Sequence, residues 1–146
     1  MLYQAMAQYL DYEGFYGAAE LYKFHSEEET DHAKQFMSYL QDKDVLPKIP
    51  ALPAQSTDFS GLGGIVDMTY ERELTTSDSI NIITNAAMAD KDHMTLEFLQ
   101  GFMTEQREEE ASALYWKDRV ATFGSDASGL LLIDKEMLKK VNKLRG

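Results

Sequence analysis

The sequence predicts an all-α fold, a four-helix bundle with a long crossover loop and a short C-terminal fifth helix. Four long segments repeat apolar residues at steps of three and four, which is the period of a helix with one buried face. A proline-containing stretch over about residues 43–61 separates the second segment from the third. A Ser- and Gly-rich break at residues 124–129 precedes a last segment that ends in basic residues. At 146 residues and 44% hydrophobic, the chain is expected to form one domain over residues 1–146, with the bundle over about 1–124.

Taken in order, Tyr3, Met6 and Leu10 mark the first helix, whose pattern is already running at Met1 without a capping residue ahead of it. Asp11-Tyr12-Glu13-Gly14 breaks it. A short break favours antiparallel neighbours. The second helix opens at Phe15 and reaches about Leu40 or Asp42, with Phe15, Ala18, Tyr22, His25, Glu29, His32, Phe36 and Leu40 expected to face inward. Pro47, Pro50 and Pro53 then interrupt any helical period. A loop of this length is unusual in so small a domain, and it can return the chain along the full length of a bundle.

The third helix begins around Leu62 or Gly64, with Val66, Tyr70, Glu73, Ser77, Ile80 and Ala87 on its stripe. Asp90-Lys91-Asp92 marks a turn. The fourth helix carries Leu99, Phe102, Gln106, Glu109, Ala113, Trp116, Val120 and Phe123. The fifth runs over about 129–143 and ends in Lys139, Lys140, Lys143 and Arg145, where cations suit a helix dipole.

Charge and composition exclude several functions. A net charge of −11 disfavours nucleic acid and anionic membrane as partners, since both require basic surfaces. Cations are the natural guests. The absence of cysteine excludes disulfides, zinc–thiolate sites, iron–sulfur clusters and cysteine nucleophiles, so any metal must sit on oxygen and imidazole. No stretch approaches the length of a membrane span, and Met1-Leu2-Tyr3-Gln4-Ala5 lacks a basic start. A soluble cytoplasmic protein is the simplest expectation.

Three helices place a carboxylate at mid-length on the stripe: Glu29 with His32, Glu73, and Glu109 with Gln106. An uncompensated buried carboxylate costs several kcal/mol, on the order of the penalty for an unpaired buried charge. Glu29 and His32 are one turn apart and can address one ion. Three such acids at matching depth form a set of oxygen and nitrogen ligands for a pair of divalent cations. The bland alternatives are buried salt bridges for these acids, solvated faces for Glu27-Glu28-Glu29 and Glu108-Glu109-Glu110, and a hydrogen-bonded core histidine at His25.

The motifs that carry a family likeness are Tyr3-Gln4-Ala5-Met6-Ala7, the run from His25 to His32, Thr69-Tyr70-Glu71-Arg72-Glu73, and Thr104-Glu105-Gln106-Arg107-Glu108-Glu109-Glu110. Gly129-Leu130-Leu131-Leu132-Ile133-Asp134-Lys135-Glu136 adds to them. On these residues the chain resembles the ferritin family, specifically its bacterial non-haem branch. The resemblance implies a ferritin-like fold, di-iron ferroxidase activity with dioxygen or peroxide as oxidant, iron storage, and a homo-oligomeric cage of twenty-four subunits.

By the same resemblance Glu29 bridges two irons, His32 binds the first, and Glu73 with Glu109 binds the second. Gln106 takes a hydrogen-bonding place beside the second iron, and Tyr3 packs against the centre as hydrogen-bond or electron donor. Glu28, Glu105 and Glu108, sharing Glu109, match a third, outer iron site. Haem is not expected: Thr30 follows Glu29 where haem-binding relatives have methionine, and Gln106-Arg107-Glu108-Glu109 stands where they have a second E-x-x-H. The lack of cysteine and of that second motif also disfavours a rubrerythrin-like di-iron peroxidase.

One departure bears on activity. The family's first helix supplies a further glutamate two turns before the position of Tyr3, which lies upstream of Met1. Either the chain is part of a longer one, or the first iron site has only Glu29 and His32. The second case implies an iron-binding or structural cage subunit with impaired ferroxidase activity.

Overall fold

The computed structural model describes residues 1–146. It holds five helices and no strand: α1 Leu2–Tyr12, α2 Tyr16–Asp42, α3 Gly61–Ala89, α4 His93–Phe123 and α5 Ala127–Arg145. The expected boundaries are met within about two residues at each end. The helices fall into two compact units, Met1–Gly61 with Ser128–Gly146, and Leu62–Ala127.

In the first unit, Tyr3, Met6, Ala7 and Leu10 form the buried stripe of α1. Gly14, at φ +87°, ends that helix. Its N–H donates to Asp11 O while Phe15 N–H donates to Leu10 O, the paired bonds of a Schellman turn, which needs a left-handed residue and so favours glycine. The chain reverses there and α2 packs back on α1.

The first turn of α2 has no side-chain cap of its own. The amides that a cap would serve, those of Gly17 and Ala18, donate instead to the buried Asp134 carboxylate of α5, at 3.1 and 2.8 Å. A negative group there also suits the α2 dipole. Ile133, Met137 and Val141 bury the same side of α5. The approach leaves no room at Gly17, where a Cβ would lie 2.0 Å from the Asp134 carbonyl oxygen. At the crossover's end Phe59 is buried edge-on against Tyr9, whose hydroxyl oxygen accepts from Gly61 N–H at 2.8 Å.

In the second unit, α3 turns into α4 within three residues. Asp92 N–H donates to Ala87 O to finish α3, and the Asp92 carboxylate accepts from the Thr95 amide and hydroxyl to begin α4. Val66, Ile80 and Ala87 of α3 and Leu99, Phe102, Ala113 and Trp116 of α4 are buried, as the stripes predict, and Leu62 and Ile65, which were not on the expected stripe, join them, while Tyr70 and Ser77 are half-buried. Trp116 is a core residue whose indole N–H finds no acceptor.

The inward face expected for α2 is realised only in its first half. Ala18 and Tyr22 are buried, but Glu29 and Leu40 are exposed and His32 and Phe36 half-buried. At 1.5 Å per residue, the 11 residues of α1 reach about 16 Å and the 27 of α2 about 40 Å. Tyr3, near the start of α1, lies beside Tyr22 and His25, so these ring contacts of α1 fall on the first half of α2. Phe123 departs from its expected stripe too, being exposed with the Arg119 guanidinium over its ring.

Gly17→Ala should lower unfolding stability by about 1–3 kcal/mol through overpacking, whereas Gly101→Ala, in open space on α4, should raise it by up to about 1 kcal/mol. Urea denaturation of both variants gives the comparison. A pH effect follows from α2 as well. Hydrogen bonds from Lys23 and Arg145 hold the Glu20 carboxyl below its ordinary value of 4.5. A depressed acid stabilises the fold above that value, and the contribution is lost as pH falls through the lowered one. Glu20→Gln should therefore cost under about 1 kcal/mol at neutral pH, as befits a pair about one-third exposed, and the gap should close on acidification.

Candidate metal centre

In the second unit, Glu73 is 3% exposed on the α3 stripe. The Gln106 side-chain amide of α4 donates to Glu73 Oε2 at 2.8 Å and to its backbone oxygen at 2.9 Å. One planar amide thus fixes both the rotamer of the acid and the register of the two helices. Glu109, half-buried, stands one turn beyond Gln106 on the same face. Next to this pair the Ser77 hydroxyl donates to the Glu110 carboxylate. Side chains on a helix lean toward its N-terminus, and so Glu110 reaches back to the level of Gln106. The sequence reading placed Ser77 on the stripe but missed Glu110, which the acidic triplet hid beside Glu109.

In the first unit, Tyr3 is 6% exposed and meets Tyr22 and His25 at ring-centroid distances of 5.8 and 6.1 Å. His25 Nδ1 lies 3.1 Å from Glu28 Oε2 on the next turn. That is the hydrogen-bonded histidine expected as the bland reading, and it engages an acid assigned to the outer site. Glu29 and His32 follow on α2, the first exposed and the second half-buried. Glu105 and Glu108 on α4 are both exposed.

The structure therefore brings Glu73 to Gln106 within one unit, and Tyr3 to His25 and His25 to Glu28 within the other. Each group by itself offers hard donors, carboxylate oxygen with a neutral amide in the one and imidazole with carboxylate in the other, of kinds that suit Fe(II), Mn(II) or Zn(II) better than soft ions that prefer thiolates.

Comparison with known proteins gives this geometry a family. A profile of the ferritin-like domain matches residues 1–119, and the chain belongs to the ferritin family. Within it, the chain is 34% identical over 137 residues to a bacterial non-heme ferritin of Escherichia coli, covering 94% of this chain and 83% of that one. It is 32% identical to a probable bacterial non-heme ferritin-like protein of Haemophilus influenzae, covering 93% and 82%. Among solved structures, an open-pore ferritin from the hyperthermophilic archaeon Archaeoglobus fulgidus superimposes with a TM-score of 0.90 at 31% identity, covering 94% of this chain and 84% of that one. The fold is a ferritin-like four-helix bundle with a long crossover and a fifth helix.

Gln106→Ala should lower stability by about 1–3 kcal/mol, because it strips a donor from a buried carboxylate, whereas Glu108→Ala on the exposed face should stay within about 0.5 kcal/mol. Thermal unfolding measured for both separates the two.

Proposed function

We propose that this chain oxidises Fe(II) to Fe(III) with dioxygen and stores the product as a mineral inside a cage built from copies of itself. Family membership supports the reading, and the observation that carries it is Glu73. A carboxylate 3% exposed and gripped by an amide is a preformed hard-oxygen ligand in a helix interior. Iron here is substrate and cargo.

In this reading Glu73 and Glu109 bind one Fe(II), with Gln106 holding Glu73 against rotation. Such support beside a ligand is typically worth about 10–100-fold in affinity or activity. Glu29 and His32 bind the other, and Tyr3 stands ready to donate a hydrogen bond or an electron. Glu28, Glu105 and Glu108 receive a third ion and share Glu109. Two Fe(II) give one electron each to dioxygen, which takes two protons and departs as hydrogen peroxide, while the two Fe(III) move to the mineral. The acidic charge of −11 favours gathering cations. No helix is long and apolar enough to cross a membrane, in keeping with a cytoplasmic store.

A second reading is favoured by the exposure of Glu29: an iron-binding cage subunit whose first site is weak and whose oxidation is slow. Water competes better for an ion at an exposed carboxylate than at a buried one.

Stopped-flow absorbance after mixing protein, Fe(II) and oxygen tests the main reading. The wild type should form Fe(III) faster than buffer, and Glu73→Ala should lose about tenfold or more of the initial rate. Equal rates in wild type and buffer would leave only the storage subunit. Anaerobic Fe(II) titration then ranks the sites. A tight phase abolished by Glu73→Ala and a weaker one abolished by Glu29→Ala are expected, and two equally tight phases would refute the weak first site.

A further inference from the structure

Between α3 and α4 lies an open cleft of about 260 Å³, whose walls include Ser77, Ile80, Met103, Gln106 and Glu110. Gln106 on its wall is the residue whose amide holds Glu73 Oε2. Met103 precedes Gln106 by one turn on the same face of α4, so its side chain borders a cleft that shares Gln106 with the Glu73 carboxylate.

Among the eight methionines its position is distinctive. Met6 and Met137 are fully buried, while Met68, Met88 and Met94 are 38%, 60% and 68% exposed on the surface. Met103 is half-buried yet lines the cleft. The Thr84 hydroxyl, which donates to Ile80 O, lies 4.0 Å from the Met103 sulfur. An oxygen added to that sulfur would be a far stronger acceptor than the thioether, with a hydroxyl already in reach.

The geometry points to Met103 as a modification site, a thioether that intercepts hydrogen peroxide leaving the iron centre. This rests on the ferroxidase reading, which supplies the oxidant. A sulfur lone pair attacks one peroxide oxygen, the S–O bond forms as the O–O bond breaks, and the departing hydroxide takes the remaining proton and leaves as water. Sulfur is oxidised by two electrons to the sulfoxide and the peroxide is reduced by two, a change that sulfoxide reductases reverse. The cleft then acts as a guarded exit that spends one methionine to spare iron ligands and the mineral surface from peroxide.

The test is a turnover reaction of the full chain with Fe(II) and oxygen, with catalase in the bulk and iron oxidation recorded by absorbance. Sulfoxide at each methionine is then quantified by peptide mass spectrometry. Met103 should be modified several-fold faster than Met68, Met88 and Met94. Reagent peroxide without iron should reverse that order, because the surface methionines are the more exposed. Without catalase, Met103→Leu should keep the initial iron-oxidation rate and release more peroxide per iron. A normal iron trace with Met103 modified no faster than Met88 and Met94 overturns this proposal and leaves the ferroxidase reading standing. A flat iron trace overturns both.

Discussion

The α3–α4 hairpin depends on the burial of one carboxylate. Removing Glu73 from water costs several kcal/mol, and the hairpin offsets this by aiming an amide at it from the facing helix. Because the Gln106 amide also donates to the Glu73 backbone oxygen, compensation and helix register are a single arrangement. A helix pair held by leucines alone can slide by fractions of a turn with little loss. A pair held by a bidentate amide cannot, since any slide breaks both bonds. The positions of Glu109 and Glu110 along α4 are thus inherited from the contact at Gln106.

Asp134 is the same problem solved to a different end. It too is a buried carboxylate on an apolar stripe, but its oxygens are taken by the amides of Gly17 and Ala18, at a helix start that lacks its own cap. Backbone amides at a helix N-terminus supply directional donors and the positive end of a dipole together, and no cation is called for. Glu73 is held through a side-chain amide on one oxygen, a grip that orients the carboxylate. The two buried acids differ in what kind of donor reaches them, although both lie on a stripe.

Periodicity made α1, α3 and α4 legible, and it singled out Glu73 and Gln106 as polar intrusions on facing stripes. It did not reveal which turns of α2 are covered. A stripe shows which face a helix offers, while burial also requires a neighbour against it, and Glu29 and Leu40 are exposed where inward positions were expected. Asp134 was missed because it follows the apolar run from Leu130 to Ile133. A signal was present nonetheless, since the residue adjoins Ile133 and lies one turn before Met137, on the edge of the buried stripe. Glu110 was obscured for a different reason. Its contact with Ser77 arises from the N-terminal lean of helical side chains across an antiparallel pair, which residue spacing does not encode.

The polar rungs between α3 and α4 also explain why a cleft exists there. Apolar side chains at 77, 106 and 110 would interdigitate and close the groove to the density of a protein interior. Ser77 is too small to fill its share, while Gln106 and Glu110 direct their ends at specific partners and cannot spread to fill space. The groove therefore stays open next to the Gln106 that holds Glu73. Orienting Glu73 and leaving a cleft beside Gln106 follow from one feature, the use of hydrogen bonds where apolar side chains would pack. The apolar side chains that do border the groove include those of Ile80 and Met103. Of the two, only the thioether of Met103 is open to oxidation.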